Sequence, residues 1–178
     1  MQKLLIVVDM QRDFVTGALG TPEARAMVPA VVEKVKRFLE GGDDVVFTRD
    51  THASIYLDTR EGRYLPVPHC VRGTLGWEII PELAPYAAQA RVFDKPTFGS
   101  LELAQWITDR DYTQIELCGV CTDICVVSNA LLIKAHLTEA DLSVDAALCA
   151  GVTPESHAAA LTTMRMCQID VRGGTAKG

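Results

Sequence analysis

The amino-acid sequence predicts an α/β protein, a three-layer α/β/α sandwich built around a parallel six-stranded Rossmann-like sheet. Short continuous apolar runs alternate along the chain with longer segments whose apolar residues recur at helical spacing. The apolar runs are not interrupted by alternating polar residues, which indicates strands buried on both faces, as in parallel sheets covered by helices. The length of 178 residues is close to the common size of one domain.

Six apolar runs are the predicted strands, and four segments between them are the predicted helices. The first helix keeps apolar residues at helical spacing and stops before Gly41 and Gly42. The last helix, Pro154–Met166, has proline in its first turn, where the missing N–H is not needed. The predicted strands are residues 4–8, 44–48, 91–93, 114–117 (continuing into 118–120), 142–144 and 169–171, and the predicted helices are residues 23–39, a segment containing 101–106, 123–136 and 154–166.

Composition and charge indicate an ordinary globular protein that acts on small molecules. Apolar residues make up 48% of the chain and charged residues 22%, which argues against disorder, collagen and coiled coil. The net charge of −6 argues against binding to nucleic acid or to anionic membranes, because both need a basic face. We predict a single domain over residues 1–172 and a disordered tail over residues 173–178.

Cysteine content predicts a cytoplasmic protein. The six cysteines are too sparse for a disulfide scaffold. No signal peptide is apparent, and no apolar stretch is long enough to span a membrane. We therefore expect reduced thiols, one or more of which can be reactive.

Polar side chains follow the predicted strands at their carboxyl ends, where parallel sheets bind ligands. Asp9 follows the first strand, Asp50 and His52 follow the second, and Lys95 follows the third. Lys95 is a candidate cation near Asp9. Ordinary alternatives exist, since Asp9 can cap a helix or form a loop salt bridge. The Asp-x-His pattern can arise by chance, and Lys95 can be a surface charge.

A long segment after the second predicted strand adds further metal-ligand types. Residues 51–68 show little regular pattern, and long loops in compact domains are usually functional. Asp50 and His52, two residues apart in extended chain, point to the same side, and Glu61 and His69 follow. Two imidazoles and two carboxylates suit a divalent transition metal such as zinc, iron or manganese, with Asp58 as a competing carboxylate.

Cys125 lies in GVCTDICV, between a predicted strand and a predicted helix. With Thr122 or Asp123 as the N-cap, Cys125 falls in the first helical turn, where the helix dipole favours a thiolate. Free backbone N–H groups of that turn can bind an oxyanion. The alternative for any cysteine is the role of a small buried hydrophobe. That packing role is assigned to Cys118, Cys149 and Cys167.

Five motifs together carry a family resemblance. They are IVVDMQRDF at 6–14, FTRDTH at 47–52, LPVPHCVRGTLGWE at 65–78, DKPTFGS at 94–100 and GVCTDICVVSNA at 119–130. With these motifs in order over nearly its whole length, the chain resembles the isochorismatase-like cysteine hydrolases, and within them the nicotinamidases.

The resemblance implies a catalytic triad of Asp9, Lys95 and Cys125. It also implies a cis peptide bond between Val120 and Cys121, and an oxyanion hole formed by the backbone N–H groups of Cys121 and Cys125.

Nicotinamidases also hold a metal that the isochorismatase and carbamoyl-hydrolase branches lack. The implied ligands that match the family pattern are Asp50, His52 and His69. Many nicotinamidases have a further histidine where this chain has Asp58, and other members use a glutamate later in the loop. Glu61 is therefore the expected additional ligand, and Asp58 is the fallback.

The activity implied by the resemblance is hydrolysis of nicotinamide to nicotinate and ammonia through a thioester on Cys125, a reaction of pyridine nucleotide salvage. Phe14 and Leu19 stand where family members contact the ring, and homo-oligomers are expected. Two alternatives remain open. One is a metal-free hydrolase of another amide, a ureide or a vinyl ether, and the other is a catalytically silent family member.

Overall fold

A parallel six-stranded sheet forms the centre of the protein in the computed structural model, which describes residues 2–173. All neighbouring strands are parallel and lie in the order β3-β2-β1-β4-β5-β6. The predicted fold class is confirmed. The strands are β1 (Gln2–Val8), β2 (Asp44–Asp50), β3 (Arg91–Lys95), β4 (Tyr112–Val120), β5 (Asp141–Ala150) and β6 (Asp170–Arg172).

Helices cover both faces of the sheet. They are α1 (Arg12–Val15), α2 (Pro22–Glu40), α3 (Arg60–Tyr64), α4 (Ala84–Ala87), α5 (Leu101–Thr108), α6 (Val127–His136) and α7 (Pro154–Met166). The chain builds the sheet outward from β1 to β3, returns to β4 and continues outward to β6. Right-handed crossovers therefore place α2 and α4 on one face and α5, α6 and α7 on the other.

Apolar runs and capping residues explain where the main elements form. Residues 4–8 of β1 are completely buried, and full burial of each such side chain stabilises the fold by about 1.5–3 kcal/mol. Thr21 caps helix α2, since its hydroxyl accepts a hydrogen bond from the Ala24 N–H at 3.0 Å. The chain leaves α2 through Gly42, whose φ of 74° favours glycine.

Several strands extend beyond their predicted bounds because backbone pairing continues past the apolar runs. Strands β2 and β3 continue to Asp50 and Lys95, which are partners in the parallel ladder. Strand β5 continues past Asp145 and a register shift to Ala150, whereas the prediction ended at residue 144. Strand β6 begins and ends one residue later than predicted.

The helix predicted over residues 123–136 begins differently. Its first turn, Thr122–Val126, is a π turn, and regular α6 follows. The predicted cap at Thr122 or Asp123 is wrong, because Cys121 holds the cap position and no side chain caps it. The two carboxylate oxygens of Asp123 instead accept from the Val152 N–H at 3.2 and 3.1 Å.

The segment over residues 51–68, predicted as a loop, contains a 3-10 turn at Tyr56–Asp58 and the short helix α3. Thr59 caps α3, since its hydroxyl accepts from the Gly62 N–H at 3.0 Å. These turns are too short to show apolar periodicity, which is why the pattern did not predict them.

The end of the chain is described only as far as Gly173, the first residue of the predicted tail, which has a φ of 67°. The rest of that prediction, residues 174–178, lies outside the described residues. Within residues 2–173, no helix has the length and hydropathy needed to cross a membrane.

Candidate active site

Four neighbouring strands bring predicted site residues together at one edge of the sheet. In sheet order, the carboxyl ends of β3, β2 and β1 carry Lys95, Asp50 and Asp9, and the turn after β4 carries Cys125. All four side chains are buried. This is the edge at which parallel sheets bind ligands.

The close contact between β1 and β4 depends on Gly119. Its φ is 116°, and a Cβ at this position would lie 2.1 Å from the Val8 backbone oxygen. No side-chain carbon fits that space, so any other residue would force the two strands apart. Glycine therefore allows the chain that carries Cys125 to leave β4 directly beside Asp9.

Lys95 lies between the acidic groups and the candidate nucleophile. Its Nζ is 2.7 Å from Asp9 Oδ2, 3.4 Å from Cys125 Sγ and 3.4 Å from Asp50 Oδ1. The ammonium also donates to the Thr97 carbonyl oxygen at 3.1 Å. The position of Nζ connects the three predicted triad members with the first predicted metal ligand.

Thr48 holds Asp9 in place from the neighbouring strand. The Thr48 hydroxyl donates to Asp9 Oδ1 at 2.6 Å, and the Asp9 N–H donates to the Thr48 carbonyl at 3.2 Å. Asp9 itself has a φ of 48°, so the chain turns sharply as β1 ends. With Oδ1 held by Thr48, Oδ2 is left facing Lys95 and can accept a proton.

Burial and the charges of neighbouring groups together determine the acid–base properties of the triad. Burial raises the pKa of the Cys125 thiol, and the negative charge of Asp9 raises it further. Burial also raises the pKa of Asp9 despite the opposing effect of Lys95. Burial lowers the pKa of Lys95, but the charges of Asp9 and Cys125 outweigh burial, and the pKa lies above its ordinary value.

The helix turn was expected to favour a thiolate at Cys125, whereas burial acts in the opposite direction and raises the pKa of this thiol. A buried thiol whose pKa is raised needs a base to form the nucleophilic thiolate. Asp9 is placed to be that base.

A cis peptide bond joins Val120 to Cys121, at the position that the family resemblance implies. The π turn that follows is closed by a hydrogen bond from the Val126 N–H to the Cys121 carbonyl at 3.0 Å. Cys121 and Cys125 both line the same cavity. The backbone at these two positions can therefore face a substrate carbonyl.

The three cysteines assigned to packing do not all have that role. Cys118 and Cys149 are buried, in agreement with the assignment. Cys167 is exposed, so the assignment is wrong there. Cys167 is the cap residue after α7, so the helical spacing of apolar residues no longer indicates whether its side chain faces the core.

The second cluster consists of four possible metal ligands. Asp50, His52, Glu61 and His69 each offer one ligand atom, and these atoms lie within 4.8 Å of one another. His52 Nε2 and His69 Nε2 lie 2.9 and 3.5 Å from Asp50 Oδ2. The same nitrogens lie 3.6 and 3.7 Å from Glu61 Oε1. Asp58 is exposed and outside the cluster, so Glu61 is the carboxylate that the structure brings to the histidines.

The surroundings of the cluster suit metal binding. The His69 Nδ1–H donates to the Val67 carbonyl at 2.8 Å, which leaves Nε2 as the atom that can bind a cation. The ring of buried Tyr56 packs edge-on against His52 and His69, with ring centroids 4.7 and 5.0 Å apart. Mixed nitrogen and oxygen donors of this kind fit zinc, iron or manganese.

The charge state of Asp50 also fits a ligand. Burial raises its pKa, but hydrogen bonds from His52 and His69 outweigh burial and hold the pKa below its ordinary range. Asp50 is therefore an ionised carboxylate. Burial raises the pKa of Glu61, whose partly exposed side chain completes the cluster from α3.

Two side-chain contacts near the metal ligands were not assigned roles from the sequence. The Gln11 side chain accepts from the Asp50 N–H at 2.7 Å and donates to the Asp50 carbonyl at 2.9 Å. The Asp13 carboxylate accepts from the Cys70 N–H at 2.8 Å, beside His69. Both side chains come from the segment after β1, and only the fold shows which backbone groups they bind.

A cavity of about 340 Å³ connects the two clusters. Its lining includes Cys121 and Cys125 from the turn after β4, and Asp50, Glu61 and His69 from the cluster of possible metal ligands. The remaining lining is mostly apolar, and it includes both predicted substrate contacts. The apolar lining residues are Phe14, Leu19, Leu65, Phe98, Ile124 and Val152.

Sequence comparison places these features in a known family. The family model for the isochorismatase domain matches residues 3–174. The chain is 31% identical over 174 residues to an uncharacterized isochorismatase family protein, PncA, of Bacillus subtilis (strain 168), which covers 91% of this chain and 93% of the relative. It is 28% identical over 187 residues to the nicotinamidase/pyrazinamidase of Mycobacterium tuberculosis, covering 95% of this chain and 97% of the relative.

Structural comparison agrees with the sequence matches. The crystal structure of the pyrazinamidase of Pyrococcus horikoshii in complex with zinc superposes with a TM-score of 0.82 and 32% identity. The match covers 96% of this chain and 98% of that chain. With the family model spanning almost the whole sequence and the same fold in a relative, this chain belongs to the isochorismatase family.

Proposed function

We propose that the protein is a cysteine-dependent amidohydrolase that converts nicotinamide to nicotinate and ammonia through a thioester on Cys125. The observation that carries the proposal is the position of Lys95 Nζ, 2.7 Å from Asp9 and 3.4 Å from Cys125, beside the cavity that also reaches the metal-ligand cluster. Relatives named as a nicotinamidase/pyrazinamidase and a pyrazinamidase support the choice of substrate.

The first half of the reaction forms the thioester. Asp9 takes the proton from the Cys125 thiol, and the sulfur attacks the carboxamide carbon. The carbonyl oxygen becomes an oxyanion that accepts hydrogen bonds from the N–H groups of Cys121 and Cys125. Protonated Asp9 then gives its proton to the amide nitrogen, the C–N bond breaks, and ammonia leaves.

The second half hydrolyses the thioester. Asp9 takes a proton from a water molecule, whose oxygen attacks the thioester carbon. The C–S bond breaks, the proton passes from Asp9 to the Cys125 sulfur, and nicotinic acid leaves and ionises to nicotinate. Throughout both halves Lys95 holds the Asp9 carboxylate and lies close enough to stabilise negative charge on the sulfur.

Substrate orientation comes from the cavity wall and the ligand cluster. Asp50, His52, Glu61 and His69 would hold a divalent transition metal, which when bound supplies an electrophilic site for a ring nitrogen. Phe14 and Leu19 line the cavity where an aromatic ring would pack. These residues fix the carboxamide near Cys125, and orientation of this kind accounts for much of an enzyme's rate enhancement.

The test is release of ammonia from nicotinamide by the metal-loaded protein, with Cys125→Ser and Cys149→Ala as paired variants. The proposal predicts turnover by the parent and by Cys149→Ala, whose cysteine is buried but belongs to β5. Cys125→Ser should bind nicotinamide without turnover. Failure of the metal-loaded parent to release ammonia would contradict the proposal that nicotinamide is the substrate. Full activity of Cys125→Ser would contradict the mechanism.

We further propose that residues 1–172 form one domain that acts in the cytoplasm as a homo-oligomer. One hydrophobic core extends from Leu4 to Ile169, which supports a single domain. Free cysteines and a thiol-dependent site suit a reducing compartment. Exposed apolar side chains such as Tyr64 and Leu101 would be covered in an oligomer. Light scattering of the purified protein tests the oligomer, and a monomer at all concentrations would contradict it.

A further inference from the structure

Asn129 is a completely buried side chain for which the reaction has no chemical use. Its Nδ2 donates to the Cys125 carbonyl at 2.8 Å and to the Phe98 carbonyl at 3.1 Å. Its Oδ1 accepts from the Ser100 N–H at 2.9 Å. One carboxamide therefore joins the backbone of the candidate nucleophile to the segment that follows Lys95.

That segment carries part of the cavity wall. Phe98 lines the cavity and keeps 40% of its surface exposed, so packing against the core alone does not fix its position. Thr97, the residue before Phe98, is held by Lys95, whose Nζ donates to the Thr97 carbonyl at 3.1 Å. Asn129 holds the chain on both sides of Gly99, through the Phe98 carbonyl and the Ser100 N–H. Ser100 then caps α5, since its hydroxyl accepts a hydrogen bond from the Leu103 N–H.

We propose that Asn129 is a positioning residue that fixes the Phe98 wall of the cavity relative to the Cys125 sulfur. The inference rests on the proposed function, since the wall would hold the substrate ring while the thiol attacks. A carboxamide suits this place because it offers two donor hydrogens and one acceptor in one plane. Aspartate lacks the donors that the two carbonyls need, and leucine has neither donor nor acceptor.

The experiment is a double-mutant cycle that combines Asn129→Leu with Phe98→Ala. Loss of one hydrogen-bonding side chain of this kind should lower kcat/KM for nicotinamide about tenfold, mainly through a higher KM. If Asn129 acts through Phe98, adding Asn129→Leu to the Phe98→Ala variant should lower its kcat/KM by less than about twofold. The proposal would be overturned if kcat/KM of the double variant fell by the product of the two single-variant losses, because the two residues would then act independently.

A second measurement does not depend on nicotinamide. The rate at which iodoacetamide alkylates Cys125, followed by peptide mass spectrometry, reports access to the sulfur. Displacement of the Phe98 wall should raise this rate at least about threefold in either single variant, with no further rise in the double variant. An unchanged rate in Asn129→Leu would overturn the proposal even if the parent hydrolyses another substrate.

His136→Gln is the control variant on the same helix. His136 is exposed at the end of α6, and its side chain is not part of the cavity. Its kcat/KM and alkylation rate should match those of the parent. If the parent fails to hydrolyse nicotinamide while the alkylation cycle shows the expected coupling, the proposed substrate fails and the role of Asn129 stands.

Discussion

Replacement of Lys95 by methionine removes a buried cation that lies between two buried carboxylates. At an effective dielectric constant of about 20, unit charges 2.7 Å apart, as for Lys95 and Asp9, attract by roughly 6 kcal/mol. The separation of 3.4 Å from Asp50 adds roughly 5 kcal/mol. Desolvation of the ammonium offsets much of this attraction. We expect a net loss of about 3–5 kcal/mol in the free energy of unfolding, as when one partner of a buried pair is removed.

Urea unfolding of the metal-free protein measures this loss, and ammonia release measures activity. Activity should fall by about 100- to 1,000-fold, because the charge that holds Asp9 and faces the sulfur is gone. The control is Lys36→Met, which removes an exposed ion pair of similar length, 2.6 Å to Glu33. Solvent screens that pair, so the control should leave stability and activity unchanged. Equal stability losses in the two variants would refute the reasoning from burial.

The variant Asp9→Asn in the Lys95→Met background separates stability from catalysis. It removes a buried carboxylate that has lost its partner, so it should restore part of the unfolding free energy. Activity should not recover with stability, because the double variant also lacks the base. A double variant less stable than Lys95→Met alone would contradict the assignment of the stability loss to an uncompensated charge.

Three further predictions concern the metal site, the pH dependence of stability and the junction of β1 and β4. Glu61→Gln should lower the zinc content measured by elemental analysis about 10- to 100-fold, whereas Asp58→Asn should leave it unchanged. Equal losses of zinc in the two variants would indicate that Asp58 is also a ligand. Burial lowers the pKa of His157, so the unfolded chain binds its proton more readily, and the unfolding free energy should fall as the pH drops below about 6.5. His157→Gln should flatten that part of the urea-unfolding profile between pH 5 and 8. Gly119→Ala should lower the free energy of unfolding by more than about 3 kcal/mol, because at a φ of 116° its Cβ would meet backbone. Gly42→Ala, at a φ of 74° and facing open space, should lower it by about 1 kcal/mol.

The sequence was informative where one local pattern determines the outcome. The apolar runs placed the central strands β1 and β2 most directly, since burial on both faces leaves that pattern in the sequence, whereas the edge strand β6 has no buried residue. The rule that ligands bind beyond strand ends then selected Asp9, Asp50 and Lys95 as neighbours. Glu61 was preferred over Asp58 on family spacing, and the cap at Thr59 explains why α3 turns Glu61 toward the histidines.

Features that depend on distant parts of the chain could not be predicted. The helix turn alone favours a thiolate at Cys125, whereas the burial that raises the pKa of its thiol comes from the whole fold. Tyr56 and Asn129 act through contacts with residues far along the chain, and neither has a distinguishing local pattern. The true cap of the π turn was missed because Asp123 binds Val152 rather than its own helix.

The distribution of the site over four strand ends also has a consequence for biosynthesis. Asp9, Asp50 and Lys95 leave the ribosome before Cys125, and the sulfur reaches them only when β4 joins β1 at the middle of the sheet. A nascent chain that ends before β4 carries the proposed acid–base groups but not the proposed nucleophile. Recovery of activity during refolding therefore reports the pairing of β4 with β1. It does not report the earlier formation of the half-sheet β1 to β3.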